Sequence, residues 1–134
     1  MATPRPLPRL DPVNRPFWTG GADGSLHLMR CRDCGKFQHP PRPMCRDCLS
    51  ENVAFEAVAG TGVVDTFSVN YQKWYPGLEV PYVVARVAID GAPGVYLTTN
   101  IVGCPVEAVD IGDRVRVKFE QQDDVYLPLF EKIA

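Results

Sequence analysis

Four cysteines form the most chemically specific pattern in this sequence. They lie in two CRDC tetrapeptides, Cys31–Cys34 and Cys45–Cys48, which are separated by ten residues. A Cys-X-X-Cys turn aims two thiolates at one point, and two such turns on facing hairpins supply the four sulfurs of a tetrahedral metal site. The spacing therefore predicts a zinc ribbon with Cys31, Cys34, Cys45 and Cys48 as ligands.

Other interpretations of the cysteine pairs are weaker. Redox pairs usually occur singly beside a helix N-terminus, and disulfides are disfavoured because no secretory signal is visible. Iron takes the same four ligands as zinc and stays the alternative metal. Four sulfurs leave no open position for a catalytic water, so we predict a structural metal. With four cysteines available, neither His27 nor His39 is needed as a ligand.

The remaining residues contain no recognisable catalytic set. Serine, histidine and carboxylate side chains do not gather in a triad spacing, and no glycine-rich phosphate loop occurs. Cys104 is single, between Gly103 and Pro105. A lone cysteine is usually a small buried apolar side chain, and a nucleophile is the weaker interpretation. We therefore predict no catalytic residue.

Length and charge divide the chain. The 134 residues suffice for one ordinary domain or two very small ones. Residues 1–50 carry eight basic and four acidic side chains, whereas residues 51–134 carry six basic and twelve acidic ones. This asymmetry predicts two modules with different surfaces. No apolar stretch approaches the ~20 residues that span a bilayer, so we expect a cytoplasmic protein without a membrane segment.

The N-terminal region is rich in proline. Five prolines in the first sixteen residues predict an extended arm, which is either a loose tail or a segment that packs along a partner. Asn14, as an N-cap, and Pro16 predict a short helix after the arm. We therefore assign the arm and helix to residues 1–25, the zinc ribbon to residues 26–52 and a further domain to residues 53–134.

The sequence of residues 53–134 predicts strands and turns. Five runs of alternating or β-branched residues are separated by turns, with one helical turn at residues 105–111 between the third and fourth run. Five short strands in about 75 residues fit a small closed barrel, of which the OB-fold is the commonest five-stranded type. The fold class is therefore mainly β. The predicted strands are 26–30 in the ribbon and 63–69, 82–89, 94–102, 114–120 and 125–133 in the barrel.

The charge of the barrel decides between two classes of partner. Nucleic-acid binding depends on lysine and arginine that neutralise phosphates, yet residues 51–134 have twice as many acidic as basic residues. Its aromatic loop at residues 71–81 holds only one lysine. Trp and Tyr are enriched in protein interfaces, although such residues also cap barrel ends. The candidate partner contacts are Phe17, Trp18, Arg42, Tyr71, Trp74 and Tyr75.

The order of these features resembles a family of acyl-CoA-associated proteins in which a rubredoxin-like zinc ribbon precedes an OB-fold, long labelled as a domain of unknown function. The resemblance covers about residues 14–133. The motifs that carry it are Pro16-Phe17-Trp18, Cys31–Gly35, Phe37, Pro40-Pro41-Arg42, Cys45–Cys48, Gly60–Val64, Pro81–Val84 and Ile111–Phe119.

The resemblance implies a non-catalytic subunit of a hetero-oligomer. Relatives of this kind pair with thiolase-superfamily enzymes, including lipid-transfer-protein-like aldolases of steroid side-chain degradation, and others accompany acyl-transfer or hydratase subunits. The small chain stabilises its partner, helps to shape the CoA-thioester site or links successive enzymes. The expected function is therefore support of an acyl-CoA enzyme of steroid or lipid degradation, with acyl-CoA near the interface. The alternative is a nucleic-acid-binding module.

Overall fold

The structure, a computed structural model, describes residues 5–133. One short helix, α1, precedes eight strands, and two 3-10 turns lie at Gly20–Asp23 and Val106–Ala108. No helix in this range is long and apolar enough to cross a membrane. The bounds are α1 Arg15–Thr19, β1 Leu26–Cys31, β2 Phe37–Gln38, β3 Val53–Val58, β4 Thr61–Asn70, β5 Tyr82–Ile89, β6 Tyr96–Val102, β7 Arg114–Gln122 and β8 Val125–Lys132.

A three-stranded antiparallel sheet carries the cysteine pairs. Its order is β2-β1-β3, and β3 pairs with β1 along its whole length, from Leu26 opposite Val58 to Cys31 opposite Val53. The sequence predicted β1 but neither of its neighbours. β2 has only two residues and therefore no periodicity, and β3 shows its strand character only through its pairing with β1.

The other five strands form a closed barrel in the order β4-β5-β6-β8-β7, and β7 pairs back onto β4. All ladders are antiparallel except the short parallel one between β6 and β8, which joins Ile101 to Phe130 and Val102 to Glu131. The 3-10 turn between β6 and β7 lies within the predicted helical turn. The mainly β architecture and the five predicted barrel strands are confirmed.

One hydrophobic core serves both sheets. Leu26 and Leu28 on β1 are in the same cluster of buried side chains as Val64, Val87 and Phe130 of the barrel. Burial of each such side chain contributes roughly 1.5–3 kcal/mol. The ribbon sheet, too small for a core of its own, is therefore stabilised by packing on the barrel.

The short helix begins differently from the prediction. Asn14 occupies the N-cap position, but its side chain makes no capping hydrogen bond. It accepts instead from the Asp11 N–H and donates to the Arg9 carbonyl, while Asp11 accepts from the N–H groups of Val13 and Asn14. A hydrogen-bonded turn over residues 9–14 therefore leads into the helix.

Arg5 fastens the arm to this chain's own barrel. Its Nε donates to Glu120 Oε2 over 2.7 Å, and its Nη1 donates to Asn100 Oδ1 over 2.7 Å. Its backbone N–H and carbonyl bond to the Gln122 amide at 2.9 and 3.0 Å. The arm thus bridges β6 and β7 at this residue. Of the five prolines in the first sixteen residues, Pro4 lies outside the described residues.

Gly62 allows β4 to pair closely on both sides. A Cβ at this position would overlap the Ala88 carbonyl oxygen and lie 2.7 Å from Val87 Cγ1. The backbone of β5 cannot retreat, because Gly62 pairs with Ile89 on one side and with Val115 on the other. Only glycine fits here.

Gly62→Ala is therefore expected to lower the free energy of unfolding by about 2–3 kcal/mol, as overpacking of a rigid site does, measured by urea denaturation. Gly91→Ala is the matched control. Gly91 has a positive φ of 78° but open space around it, so its loss should stay near ~1 kcal/mol. Equal losses at both positions would contradict the packing argument.

Candidate metal centre and contact surfaces

The four predicted ligands come together in one cluster. Their sulfur atoms all lie within 4.8 Å of one another, with 3.5 Å between Cys31 and Cys48 and 3.6 Å between Cys34 and Cys45. Tetrahedral zinc with bonds of about 2.3 Å places its sulfurs ~3.8 Å apart. The cluster therefore fits a four-coordinate metal ion, which all four thiolates would hold and which would cross-link the two turns.

The two cysteine turns repeat the same hydrogen bonds. In the first, Cys31 N–H donates to Lys36 O, and Gly35 N–H donates to Cys31 O. In the second, Cys45 N–H donates to Ser50 O, and Leu49 N–H donates to Cys45 O. Identical CRDC sequences therefore fold into turns with the same backbone-to-backbone hydrogen bonds.

Backbone N–H groups favour the thiolate form at the first cysteine of each turn. The Cys34 N–H lies 3.4 Å from Cys31 Sγ, and this donor is the main reason that the pKa of Cys31 falls to about 7. Backbone donors from Cys48 and then Asp47 likewise lower the pKa of Cys45. Both cysteines are buried, whereas Cys34 and Cys48 are exposed. Metal ligation requires deprotonated sulfur, so the first cysteine of each turn is pre-arranged for it, whereas the pKa of Cys34 and that of Cys48 are raised.

The turns differ at one position. Gly35 and Leu49 are equivalent, and both have positive φ, at 79° and 64°. A side chain in this left-handed region costs roughly 1 kcal/mol. Leu49 is also 67% exposed, so its side chain gains little burial in return. The second turn therefore carries a local strain that the first avoids.

Gln38, which the sequence did not single out, fixes the entry to the second turn. This side chain is only 3% exposed. Its Nε2 donates to the Met44 carbonyl over 3.0 Å, and its Oε1 accepts from the Arg46 N–H over 3.0 Å. Nothing in the sequence marks Gln38, because its partners are backbone groups of a loop.

The acidic and basic residues of the CRDC repeats have different roles. Asp33 accepts from Ser50 and from Asn52, whose Nδ2 lies 3.1 Å away, and the Ser50 bond is the main cause of the lowered Asp33 pKa. Asp47 pairs with Lys36 at 3.8 Å. The two arginines of the repeats, Arg32 and Arg46, lie exposed beside the cysteines.

The aromatic loop after β4 presents its rings to solvent. Tyr71 and Trp74 are 69% and 70% exposed, and Tyr75 is 37% exposed. Asn70, another residue that the sequence did not single out, shapes this loop. Its Oδ1 accepts from Trp74 Nε1 over 3.0 Å, and its Nδ2 donates to the Gln72 carbonyl over 2.7 Å. The exposed Trp74 ring is therefore held in place by a side chain of the barrel.

A cleft of about 760 Å³ lies beside this loop. Trp74 and Tyr75 line one part of it, and Arg5 and Lys118 line another. Cys104 also lines the cleft, but its side chain packs against the hydrophobic core. That position suits the predicted role of a small apolar side chain.

The three remaining candidate contacts lie apart from this loop. Phe17 is only 4% exposed and belongs to the core. Its ring meets Trp18 edge to face with centroids 4.9 Å apart, and His39 with centroids 4.7 Å apart. Trp18 is half-buried and Arg42 is exposed. Phe17 therefore lies mostly in the core and packs against Trp18, so that its own ring exposes little area to a partner.

The basic residues of β7 are neutralised within the chain. Arg114 pairs with Asp90, and this contact lowers the Asp90 pKa. Arg116 lies 3.1 Å and Lys118 lies 4.0 Å from oxygens of Glu131. β7, which carries these three basic residues, therefore has few unpaired cations that could bind phosphate groups.

The metal cluster predicts about one zinc ion per chain, measured by elemental analysis of the purified protein. Cys45→Ser is expected to abolish metal binding and unfold the ribbon, because the cross-link between the turns is lost. Cys104→Ser is the matched control and should retain the metal. A well-folded protein without metal, or with two ions, would contradict the four-thiolate site.

The strained turn predicts a stabilising substitution. Leu49→Gly should raise the free energy of unfolding by about 1 kcal/mol, because glycine adopts positive φ without steric cost. Ile111→Gly is the control, since Ile111 is also 67% exposed and does not have positive φ. Chemical denaturation of the metal-loaded proteins measures both. If Leu49→Gly lowered the free energy of unfolding as much as Ile111→Gly does, the proposed strain at Leu49 would be contradicted.

Two family models match adjacent parts of the chain. Residues 18–54 match the rubredoxin-like zinc ribbon domain of ChsH2. Residues 55–120 match the ChsH2 C-terminal OB-fold domain. Together they cover both cysteine pairs and most of the barrel.

Curated relatives share about a third of the sequence. A "Probable enoyl-CoA hydratase alpha subunit" of Thermomonospora curvata is 33% identical over 94% of this chain. A "3-oxo-4,17-pregnadiene-20-carboxyl-CoA hydratase alpha subunit" of Mycobacterium tuberculosis is 31% identical over 77%. The chain spans only 39% and 32% of their lengths. A "DUF35 domain-containing scaffold protein" of Methanocaldococcus jannaschii is 32% identical over 69% of this chain and 66% of its own.

Two solved structures share the fold. One, described as "Ltp2-ChsH2(DUF35) aldolase", is 32% identical, has a TM-score of 0.81 and covers 94% of this chain and 98% of its own. A DUF35 protein of unknown function from Sulfolobus solfataricus, 18% identical over 91% of this chain and 86% of its own, has a TM-score of 0.64 and supports the fold alone. The chain therefore belongs to the DUF35 family, with a ChsH2-type zinc ribbon followed by a ChsH2-type OB-fold.

Proposed function

We propose that this chain is a non-catalytic accessory subunit that binds and supports an acyl-CoA-processing enzyme of the thiolase superfamily, in the cytoplasm. The enzyme class within that superfamily is an aldolase or acyltransferase of steroid or lipid degradation. A structural zinc ion is the metal that we propose for the ribbon. The chain contributes binding surface, and its partner contributes the reacting groups.

The observation that carries this proposal is the exposed aromatic loop. Three large aromatic side chains lie within five residues and face solvent (Tyr71, Trp74 and Tyr75). Trp and Tyr are the residues that most often dominate binding energy at protein interfaces. Because Asn70 already fixes the Trp74 indole, little side-chain entropy is lost when a partner covers it. The loop is thus suited to contact a protein.

The chemistry of the other residues also supports a chain that binds a partner and leaves catalysis to it. Four sulfur ligands would close the metal's coordination sphere, so the metal site has no position for substrate. Cys104 packs with the core instead of lying beside a base. The names of the relatives, an aldolase, hydratase alpha subunits and a scaffold protein, point toward acyl-CoA chemistry performed in an assembly.

Acyl-CoA itself belongs near the proposed interface. The 760 Å³ cleft lies next to the aromatic loop and falls within the usual range of ligand pockets. We propose that the partner covers this cleft and that the bound thioester lies close to it.

The alternative, a nucleic-acid-binding module, has weaker support. Single-strand binding combines stacking aromatics with a basic groove. The bases of β7 are paired with acids, and the loop itself holds one lysine and one glutamate.

Trp74→Ala is expected to weaken the complex with the proposed thiolase-like partner enzyme by roughly 30-fold in Kd or more, as truncation of a hot-spot aromatic does. Asn70→Ala should weaken it by a smaller factor, because the indole would lose its fixed orientation. Isothermal titration calorimetry of the two purified proteins measures both effects.

Ile111→Ala is the matched control for this test, since Ile111 is 67% and Trp74 is 70% exposed. Its Kd should stay within about twofold of the unsubstituted protein, as for a residue outside the interface. Absence of binding, or equal effects of the two substitutions, would refute the proposed interface. Salt-dependent binding of a labelled single-stranded oligonucleotide would favour the alternative.

A further inference from the structure

A second concave surface lies between the N-terminal arm and the ribbon. This arm–ribbon groove has a volume of about 410 Å³, within the range of pockets that hold ligands or peptide side chains. It shares no lining residue with the cleft beside the aromatic loop. Its lining residues are Pro8, Arg9, Asp11, Val13, Asn14, Phe17, Trp18, His39, Pro40 and Pro41.

The aromatic part of the groove is rigid. The Phe17 ring holds Trp18 edge to face at 4.9 Å and His39 at 4.7 Å, and two prolines continue this wall. Burial lowers the pKa of His39 to about 4, so its ring is neutral near pH 7. This wall therefore offers an apolar surface to an incoming side chain.

The opposite wall is the turn over residues 9–14, and its polar groups bond to one another. The Asp11 carboxylate accepts from the N–H groups of Val13 and Asn14, both at 2.8 Å. The Asn14 amide bonds to the Asp11 N–H at 2.9 Å and to the Arg9 carbonyl at 3.1 Å. These hydrogen bonds fix the wall before any ligand arrives, while the Asp11 carboxylate keeps its negative charge.

Two arginines remain uncompensated at this groove. Arg9 lines it, and Arg42 follows Pro41 directly; both are exposed. Within residues 5–133 their hydrogen bonds involve only the backbone, at Arg9 O and Arg42 N. By contrast, Arg5, Arg15 and Arg30 each have a carboxylate partner. The two arginines outnumber the one acid of the lining, Asp11, so the net charge at the groove is positive.

We propose that the arm–ribbon groove is a docking site for a partner-protein segment with an aromatic or large aliphatic side chain flanked by aspartate or glutamate. The apolar side chain inserts between Trp18 and the prolines, and the carboxylates pair with Arg9 and Arg42. Charge-assisted pairing of arginine with carboxylate gives the direction and register of the segment.

A protein segment fits this groove better than a nucleic acid does. Single-strand binding needs a run of cations that follows successive phosphates, whereas this groove has two. It also has one apolar recess instead of a series of stacking platforms. The proposal concerns a surface separate from the aromatic loop, so its test needs no acyl-CoA enzyme and can fail independently of the proposed function.

The test uses the full, metal-loaded chain labelled with ¹⁵N and a capped peptide, Gly-Asp-Glu-Phe-Asp-Glu-Gly. The sequence has two tryptophans, Trp18 and Trp74, so the two indole N–H signals report on the two surfaces. Saturable binding with a Kd of about 0.1–1 mM should shift the Trp18 indole signal and the amides of residues 8–18 and 39–42. The Trp74 signal should stay in place.

Arg9→Glu combined with Arg42→Glu should weaken peptide binding at least about tenfold, because two attractive charge pairs become repulsive. Lys73→Glu, an exposed cation on the aromatic loop, is the matched control and should change Kd by less than about twofold. Should the double variant misfold, salt near ~1 M must still weaken binding to the unsubstituted chain, since the Debye length falls to ~3 Å.

Four results would overturn the proposal. They are the absence of saturable binding, shifts centred on Trp74, equal binding of a peptide with lysine in place of every acid, and equal binding of a peptide with alanine in place of phenylalanine. Tighter binding of a short single-stranded oligonucleotide to the same residues would also overturn it and assign the groove to nucleic acid.

Discussion

Four cysteine sulfurs lie within 4.8 Å of one another, and four thiolates at that separation repel strongly unless a cation lies between them. This requirement governs the N-terminal half of the chain. The two turns have no covalent link, and the strand between them, β2, has only two residues. A bound metal is therefore what joins the turns, and everything that the ribbon supports depends on that link.

The ribbon supports more than its own turns. β1 ends at Cys31, and its buried leucines pack into the barrel core, so this strand connects the metal site to the barrel. Phe17 packs against His39 from the ribbon loop and carries Trp18. Metal binding thus fixes the loop of His39 to Pro41, and with it one wall of the arm–ribbon groove. The aromatic loop depends instead on Asn70 at the end of β4. The two proposed contact surfaces therefore rest on different elements.

Most of the architecture follows from local patterns that the sequence displays directly. The CRDC pairs have a spacing that favours one type of metal site, and the alternation of Val115, Val117 and Phe119 predicts β7.

β3 was missed, because its place in the sheet depends on pairing with β1 rather than on its own sequence. Asn14 was assigned as a capping side chain, but the neighbouring Asp11 engages the N–H groups at the start of the turn instead. The roles of Gln38 and Asn70 were not predicted, because each side chain bonds to groups in an irregular loop that no sequence pattern marks. Phe17 was counted among the contacts because aromatic type alone cannot distinguish a buried ring from an exposed one.

In the proposed complex, this chain supports the chemistry of another protein. The most direct measurement is acyl-CoA turnover by the proposed thiolase-like partner enzyme, by this chain alone, and by the two mixed in equal amounts, with this chain in its metal-loaded form. An accessory role predicts no turnover by this chain alone, and turnover by the mixture that exceeds that of the enzyme alone. Turnover by this chain alone, or a mixture no more active than the enzyme by itself, would contradict it.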